Sequence, residues 1–388
     1  MTVLPGIDVL LNKKLETVSG RRLGLVASPS SVDQHLNSSI DLLQAHPHVA
    51  LVALFGPEHG VRGSAQAGDH VSDFVDPTTR LPVYSLYGDT KSPTDEMLAG
   101  IDMLVYDLQD GGVRFYTYLS TLIYILQAGA RRQIPVVVLD RPNPISGRAP
   151  EGPMLDPAYT SFVGMAPVPI RHAMTAGELA LMCNDVLAIG CDVTVIEMEG
   201  WRRRMWFDDT GLPFVQPSPN LPTLTSLTVY PGTCLVEGTT LSEGRGTTRP
   251  FEVIGAPWLD GERLARDLNA LELPGVRFRP VYFTPQFSKH NGELCSGVQL
   301  HILDRERFPA VQSALHLLTH AKANHPEHFA WRPAWSDGGQ RPIDLLSGGS
   351  QIREHLDAGS PVPELIESWQ DALAEYDRRR APYLLYGD

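Results

Sequence analysis

Four apolar runs separated by helical segments dominate the first half of the chain and restrict its possible folds. They span residues 22–28, 49–55, 101–107 and 134–140, and a fifth strand-like run covers 192–198. The segments between them that can form helices are 32–45, 93–99, 116–132 and 175–189. Near-continuous Val, Ile and Leu strands that alternate with helices are typical of a parallel sheet buried on both faces. The sequence therefore predicts an α/β fold with a Rossmann-like parallel sheet that has helices on both faces.

The second half of the chain predicts a smaller α/β domain. At 388 residues the chain is too long for one typical core. A stretch rich in Trp, Arg and Pro at 201–224 is typical of a domain border. Beyond it we predict strands at 227–237, 276–283 and 295–303, and helices at 261–271, 305–323, 350–358 and 363–380. We therefore expect an N-terminal domain over 1–224, which carries Glu58, and a C-terminal domain over 225–388.

Composition narrows the choice of partners. The net charge of −13 argues against nucleic acid or an anionic membrane as the main partner, because both require a basic face. No apolar stretch is long enough to span a bilayer. The first residues lack a basic region followed by an apolar one, which predicts a cytoplasmic protein, or an exported one if a leader precedes this sequence. The cysteines are widely spaced, which predicts four buried free thiols.

Glu58 is the leading candidate for a catalytic residue. It lies in the motif G-P-E-H-G, directly after the second apolar run. Gly56 and Pro57 end that strand, so Glu58 and His59 are expected at its carboxyl end, where open α/β sheets bind ligands. A carboxylate beside an imidazole can transfer protons there. A purely structural role for Glu58, as a cap of the next segment, is the alternative.

Further polar residues follow the other strands of the first half. Because the carboxyl ends of parallel strands lie at one edge of a sheet, these loops are expected to converge there. The candidates are Gln109, Asp110, Arg114, Tyr116, Arg141, Asn143, Arg171 and His172. Each of them has a turn or capping role as its alternative, and Asp140 is the clearest such case.

The second half adds a polar, glycine-rich run at 237–248. This run contains Glu243 and Arg245, which suits a polyhydroxylated ligand, although its glycines also suit tight turns. Outside the run, the candidates for ligand binding are Asn220, Tyr230, Phe287 and Lys289.

The usual cofactor motifs are missing from the sequence. It contains no G-x-G-x-x-G after the first strand, no P-loop, no G-x-S-x-G elbow and no H-E-x-x-H. We therefore predict neither a cofactor nor a metal. Carboxylates, Tyr, Arg, Asn and aromatic residues around a crevice fit glycoside hydrolysis, which needs a proton donor and a second group that stabilises or attacks the sugar cation.

Several long motifs occur in the order found in one family. The chain resembles the NamZ family of exo-β-N-acetylmuramidases nearly from end to end. The motifs are G-P-E-H-G-V-R-G (56–63), L-P-V-Y-S-L-Y-G (81–88), D-L-Q-D-G-G-V-R-F-Y-T-Y (107–118), L-D-R-P-N-P-I-S-G (139–147), P-S-P-N-L-P-T (217–223) and E-G-T-T-L-S-E-G-R-G-T-T-R-P-F-E (237–252).

The resemblance implies a Rossmann-like domain, a smaller C-terminal domain that closes a cleft, and release of terminal N-acetylmuramic acid from the non-reducing end of peptidoglycan fragments in cell-wall turnover. It also implies that Glu58 is the catalytic acid. We rank the second catalytic group by chemistry, with Glu243 first and Asp110 and Tyr116 after it. The family's third-strand motif has Asp-Val-Gly where this chain has Asp110-Gly111-Gly112, so we expect a looser loop and a less certain position for Asp110.

The expected substrate is a small muropeptide or disaccharide, and a homodimer is left open. The lactyl carboxylate of N-acetylmuramic acid needs a cation, for which Arg62, Arg141, Arg171 and Arg245 are the candidates. Phe287 or Tyr230 is expected to stack on the sugar. A hexosaminidase for another amino sugar and a non-catalytic sugar-binding protein remain alternatives, and so do retaining, inverting and substrate-assisted mechanisms.

Overall fold

Two compact units divide the chain. The computed structural model describes residues 2–63, 73–88, 90–334 and 338–388. Unit 1 comprises Met1–Ala149, His172–Pro219 and Arg378–Asp388, and unit 2 comprises Pro150–Arg171 and Asn220–Asp377. The units therefore differ from two continuous halves joined near residue 224, because 150–171 packs with unit 2 and the last eleven residues pack with unit 1.

Strands and helices alternate through most of unit 1, whereas helices predominate in unit 2. The strands are β1 (Arg22–Ala27), β2 (Ala50–Gly56), β3 (Phe74–Val75), β4 (Pro82–Ser85), β5 (Met103–Asp107), β6 (Val136–Leu139), β7 (Glu151–Met154), β8 (Pro169–Arg171), β9 (Val193–Ile196), β10 (Val253–Ala256), β11 (Val276–Phe283) and β12 (Cys295–Ile302). The α-helices are α1 (Gly6–Lys13), α2 (Ser39–Ala45), α3 (Tyr118–Arg132), α4 (Ala176–Val186), α5 (Leu224–Thr233), α6 (Gly261–Ala270), α7 (Ala310–Asn324), α8 (Pro342–Ser347), α9 (Gln351–Asp357), α10 (Val362–Ser368) and α11 (Gln370–Arg380).

A seven-stranded sheet forms the centre of unit 1, with the order β3-β4-β2-β1-β5-β6-β9. All neighbouring strands run parallel except β3, which pairs antiparallel with β4. The predicted Rossmann-like α/β sheet is confirmed. The chain moves from β1 to one side of the sheet and later returns to place β5 on the other side. This change of direction opens a crevice at the carboxyl ends of β1 and β5, where such folds bind ligands.

Helices cover the sheet because its strands are apolar on both faces. Ile7 and Leu10 of α1 and Ile40 and Leu43 of α2 belong to one buried cluster with the sheet residues. Helices α3 and α4 pack against each other, and both also contact β6. Helix α4 begins with a capping box, in which Thr175 Oγ1 accepts from Glu178 N and Glu178 Oε2 accepts from Thr175 N.

Unit 2 contains a three-stranded antiparallel sheet, β10-β12-β11, and the two-stranded sheet β7-β8. Helices α6 and α7 pack against each other, and α6 also packs on β11 and β12. The strand predicted at 227–237 is wrong, because this segment lies in α5 and a following 3-10 turn. Thr223 caps α5 by accepting a hydrogen bond from Ser226 N, and short apolar runs alone do not distinguish strand from helix.

Three predicted helices differ from those in the structure. Within 32–45, only Ser39–Ala45 is helical, because Asp33 Oδ1 accepts from two backbone amides and closes a turn ahead of α2. The segment 93–99 forms turns. The predicted helix at 363–380 is two helices, α10 and α11, which meet at Trp369.

All four cysteines are buried free thiols, as the sequence predicts. No helix in the described part of the chain combines the length and the apolar character needed to cross a membrane.

Candidate active site

A strained turn places Glu58 at the carboxyl end of β2. Gly60 N donates a 2.9 Å hydrogen bond to Pro57 O, which closes a four-residue turn with Glu58 and His59 in its centre. His59 has a φ of +78°, which a type II turn requires at this position and which glycine normally supplies. A histidine held in this conformation costs about 1–3 kcal/mol. The turn leaves Glu58 half-buried and His59 buried.

The loop after β5 contacts Glu58 through two side chains. Thr117 Oγ1 donates a 2.9 Å hydrogen bond to Glu58 Oε2, and Tyr118 OH donates to the Glu58 backbone oxygen at 3.3 Å. Both residues lie at the start of α3. The convergence of loops predicted at this edge therefore includes two residues that were not predicted for the site. Their place at the end of the loop that follows β5 was the signal that would have identified them.

Two tyrosines join this loop to Pro217. Tyr116 OH donates to Pro217 O at 2.7 Å, and Tyr118 OH lies 3.3 Å from the same oxygen. The two rings pack edge to face, with centroids 4.7 Å apart. Tyr116 is buried, so its hydroxyl fixes the start of the P-S-P-N-L-P-T motif against the β5 loop.

Asp110 forms a buried pair with His172. Asp110 Oδ2 accepts from Gly112 N at 2.6 Å and lies 3.1 Å from His172 Nε2. His172 Nδ1 accepts from Met174 N, so we assign the proton to Nε2, which donates to Asp110. The other Asp110 oxygen, Oδ1, is buried and has no hydrogen-bond partner within the described residues. His172 therefore fixes the orientation of the carboxylate.

The looser loop expected from Gly111 stays a prediction, but its neighbour Gly112 is fixed by its surroundings. Gly112 has a φ of +81°, and a Cβ on it would lie 2.5 Å from Ile145 Cγ1 and 2.8 Å from Asn143 Oδ1. Glycine is thus required at position 112 by both conformation and space. The bond from Gly112 N to the Asp110 carboxylate then holds the loop in place.

Gln109 and Arg114 are also buried in this loop. Gln109 Nε2 donates to Asp110 O and Pro142 O, at 3.0 and 2.8 Å, and so connects the β5 loop to the D-R-P-N-P loop. Burial lowers the pKa of Arg114 to about 9, which leaves it cationic at neutral pH.

Arg141 and Asn143, both predicted to bind substrate, hold loops together. Arg141 forms two hydrogen bonds with the Asp107 carboxylate, Nε to Oδ1 at 2.6 Å and Nη2 to Oδ2 at 2.9 Å. Asn143 Nδ2 donates to Met174 O, and its Oδ1 accepts from Ile145 N. These bonds use Nε and Nη2 of Arg141 and both polar atoms of Asn143, so substrate binding by either residue stays a prediction.

The four arginines predicted to bind the substrate carboxylate all lie beside carboxylates. Arg62 contacts Asp41 and Asp76 at 3.0 and 3.1 Å. Arg171 is buried, and although burial lowers its pKa, the nearby Glu151 opposes that shift. The partner of Arg141 is Asp107, and those of Arg245 are Glu237 and Glu243. Any of the four would have to share or exchange a carboxylate in order to bind substrate.

In unit 2, Glu243 lies in a buried cluster of two carboxylates and two cations. Its Oε2 is 2.8 Å from Lys289 Nζ and its Oε1 is 3.4 Å from Arg245 Nε, so these contacts are ion pairs rather than aligned hydrogen bonds. Lys289 Nζ also donates to Val236 O and Thr239 O. Burial opposes the charge of Arg245, yet the nearby Glu237 and Glu243 raise its pKa.

The glycines beside Glu243 allow close approach of the protein's own backbone. A Cβ on Gly244 would lie 2.6 Å from Val253 O, and one on Gly246 would lie 2.6 Å from Phe287 O. Close packing of the protein's own backbone therefore explains why glycine occupies positions 244 and 246, and a bound sugar is not needed to explain it.

The remaining candidates in unit 2 differ in exposure. Tyr230 is buried and packs edge to face on Phe251, with centroids 4.7 Å apart. Phe287 is 48% exposed, so it is the more accessible of the two rings expected to stack on sugar. Asn220, the first residue of the longer of the two segments that form unit 2, is buried.

Comparison with known proteins gives one consistent result. Residues 23–225 match the family model described as exo-β-N-acetylmuramidase NamZ, N-terminal, and residues 228–386 match its C-terminal counterpart. The peptidoglycan β-N-acetylmuramidase NamZ of Bacillus subtilis (strain 168) is 49% identical over 384 residues, which are 99% of this chain and 91% of the relative.

Two solved structures from Bacteroides fragilis NCTC 9343, both described as DUF1343 family proteins, have similar folds. One is 38% identical with a TM-score of 0.90 and covers 99% of both chains. The other is 29% identical with a TM-score of 0.78 and covers 100% of both chains.

Proposed function

The chain belongs to the NamZ family of exo-β-N-acetylmuramidases, and from that premise we propose that Glu58 is the catalytic acid of its glycoside hydrolysis. The protein is a glycoside hydrolase rather than the non-catalytic sugar-binding protein that its residue inventory also allowed. Its proposed substrates are peptidoglycan fragments with N-acetylmuramic acid at the non-reducing end, since the Bacillus subtilis relative is named a peptidoglycan β-N-acetylmuramidase.

The hydrogen bond between Thr117 and Glu58 is the observation that supports this role best. Glu58 is half-buried at the carboxyl end of β2, and the Thr117 hydroxyl orients its carboxyl group. A proton on Glu58 would pass to the glycosidic oxygen as the bond to the anomeric carbon breaks, while the sugar develops cationic character. The strained turn at His59 maintains the position of this acid.

Two carboxylates fit the second catalytic role, and they imply different mechanisms. Glu243, which contacts Lys289 and Arg245, suits a nucleophile or a base that activates water. Asp110, oriented by His172, suits a residue that holds the substrate's acetamide while the acetamide oxygen attacks the anomeric carbon. NMR of the product anomer that forms first separates these mechanisms. Inversion of the anomeric configuration would require a base that activates water. Retention, together with inhibition by an N-acetylmuramic acid thiazoline, would indicate attack by the acetamide oxygen of the substrate.

Recognition of the lactyl carboxylate requires a cation with some exposure. Among the four candidate arginines, Arg62 and Arg245 have side chains 32% and 21% exposed, whereas Arg141 and Arg171 are buried. We therefore retain Arg62 and Arg245. N-acetylglucosamine lacks the lactyl carboxylate and would leave the arginine without its charged partner. Such a loss costs about 2–5 kcal/mol of binding free energy when the protein group stays buried, so N-acetylglucosamine glycosides should be poor substrates. Equal kcat/KM on both sugars would support the hexosaminidase alternative.

Turnover of a chromogenic N-acetylmuramic acid glycoside by Glu58→Gln tests the central proposal. Glutamine keeps the size of the side chain but cannot donate the same proton, so kcat should fall by about a hundredfold or more. Glu199→Gln is the matched control, because Glu199 lies in the same unit and forms an exposed ion pair with Lys13. Near wild-type turnover by Glu58→Gln would remove Glu58 from the mechanism.

A further inference from the structure

A pocket in unit 2 contains none of the residues proposed for catalysis. It is formed by three segments: 153–159, from the end of β7 onward; 347–352, from the end of α8 to the start of α9; and 368–372, from the end of α10 to the start of α11. We call it the Gly349 pocket. Its volume of about 300 Å³ lies at the lower end of the range of small-molecule sites.

Hydrogen bonds fix the walls of the Gly349 pocket. Asp156 N donates to Gly348 O at 2.8 Å and so connects the first segment to the second. Ser347 Oγ donates to Gly349 O at 2.6 Å, and Gly349 N donates to Asp344 O at 2.9 Å. The Gly-Gly segment is therefore held in one conformation, and the pocket exists before any ligand arrives.

Three polar side chains in the lining have no hydrogen-bond partner within the described residues. They are the hydroxyl of Tyr159, the hydroxyl of Ser350 and the amide of Gln351. The half-buried ring of Tyr159 gives the lining its aromatic surface, whereas Trp369 beneath it is only 4% exposed. A concave site with aromatic surface and a few unengaged hydroxyl and amide groups suits a ligand that carries hydroxyl groups on an apolar ring.

The charge of the lining restricts the ligand further. Neither lysine nor arginine lines the described part of the pocket, and its one carboxylate, Asp156, accepts a hydrogen bond from Ala158 N. An anionic sugar would find no cation here, whereas a neutral sugar needs none.

We propose that the Gly349 pocket binds a neutral pyranose of the N-acetylglucosamine type, as a second glycan site separate from catalysis. The choice of a glycan as ligand rests on the proposed function. Peptidoglycan alternates anionic N-acetylmuramic acid with neutral N-acetylglucosamine, so this site would hold a sugar other than the one released. It would retain longer glycan fragments on the enzyme.

Gly349 offers a way to block the pocket without disturbing the fold. A Cβ on Gly349 would meet no heavy atom within 4 Å, and its φ is outside the left-handed region. Gly349→Leu should therefore fold and fill the pocket. Gly387→Leu is the matched control, because Gly387 has the same open surroundings and an ordinary φ but belongs to unit 1. Tyr159→Phe removes only a hydroxyl.

The test measures binding of a neutral N-acetylglucosamine trimer by isothermal titration, together with turnover of a chromogenic N-acetylmuramic acid monosaccharide glycoside. We expect Gly349→Leu to weaken trimer binding at least about tenfold and Tyr159→Phe to weaken it about two- to tenfold. Gly387→Leu should bind as the wild type does. All three variants should turn over the monosaccharide glycoside normally.

Three outcomes would overturn the proposal: no trimer binding by the wild type, equal binding by Gly349→Leu, or loss of monosaccharide turnover in Gly349→Leu. None of them bears on Glu58, whose role is measured by the Glu58→Gln variant. The two proposals therefore fail separately.

Discussion

Thr117 Oγ1 donates a 2.9 Å hydrogen bond to Oε2 of Glu58, although the two residues are 59 positions apart in sequence. Thr117 immediately precedes α3, and Glu58 lies in the turn after β2. This contact makes the orientation of the proposed acid depend on the loop that also carries Asp110 and Tyr116.

Thr117→Val tests whether that hydrogen bond serves catalysis. Valine has nearly the same shape but lacks the hydroxyl that orients the Glu58 carboxyl group. We expect kcat/KM to fall about tenfold. Thr117→Ser keeps the hydroxyl and should restore kcat/KM. A valine variant with the kcat/KM of the wild type would contradict this role.

Glu243→Gln should destabilise unit 2. It leaves Arg245 and Lys289, whose side chains are 21% and 17% exposed, without the carboxylate that both contact. Losing that partner should cost about 1–3 kcal/mol in the free energy of unfolding, measured by urea. The double variant Glu243→Gln/Lys289→Met should recover part of that loss. The catalytic role predicted for Glu243 requires in addition that kcat fall about a hundredfold under native conditions. A near-normal kcat would leave Glu243 only a structural role.

Arg141→Met should destabilise unit 1 by about 3–5 kcal/mol, because it leaves the Asp107 carboxylate buried without its cation. Arg148→Met is the control, since Arg148 forms an exposed pair with Asp388 and should change the free energy of unfolding by less than about 1 kcal/mol. Similar urea midpoints for the two variants would show that the buried pair contributes little.

Asp140 should make stability depend on pH. Burial raises its pKa to about 6, even though Tyr386 OH, Gly177 N and Thr175 OH donate to it. Between the unfolded-state pKa of 3.8 and the folded-state pKa of about 6, the Asp140 carboxyl group therefore keeps its proton in the folded state and has lost it in the unfolded state. The stabilising contribution of this group is fully present below pH 3.8 and is lost as the pH rises through about 6.

Asp140→Asn provides the comparison, because the amide cannot titrate. The free energy of unfolding of the wild type, relative to this variant, should fall by up to about 3 kcal/mol between pH 4 and pH 6.5. Urea unfolding at half-unit pH steps measures the difference. A constant difference across that range would show that Asp140 keeps an ordinary acidity in the folded protein.

The sequence by itself determined the main strands of unit 1. Continuous Val, Ile and Leu runs predicted β1, β2, β5 and β6, because a strand buried on both faces needs apolar residues at every position. The segment of β9, a partly exposed strand at the edge of the sheet, was also predicted. The capping box at Thr175 and the position of Glu58 at the end of β2 also follow from neighbouring residues. These features depend on contacts within a few positions, so pattern and spacing suffice to predict them.

The tertiary structure decided which side chains meet. Thr117 and Glu58 meet because β2 and β5 end at one edge of the sheet. Arg141, which the sequence offered as a substrate clamp, forms a buried ion pair with Asp107. Tyr386 reaches Asp140 from 246 positions away, because the last residues return to unit 1. Such pairings depend on the path of the whole chain. Whether an arginine is free for a ligand depends on which carboxylate folding brings beside it, which local sequence does not encode.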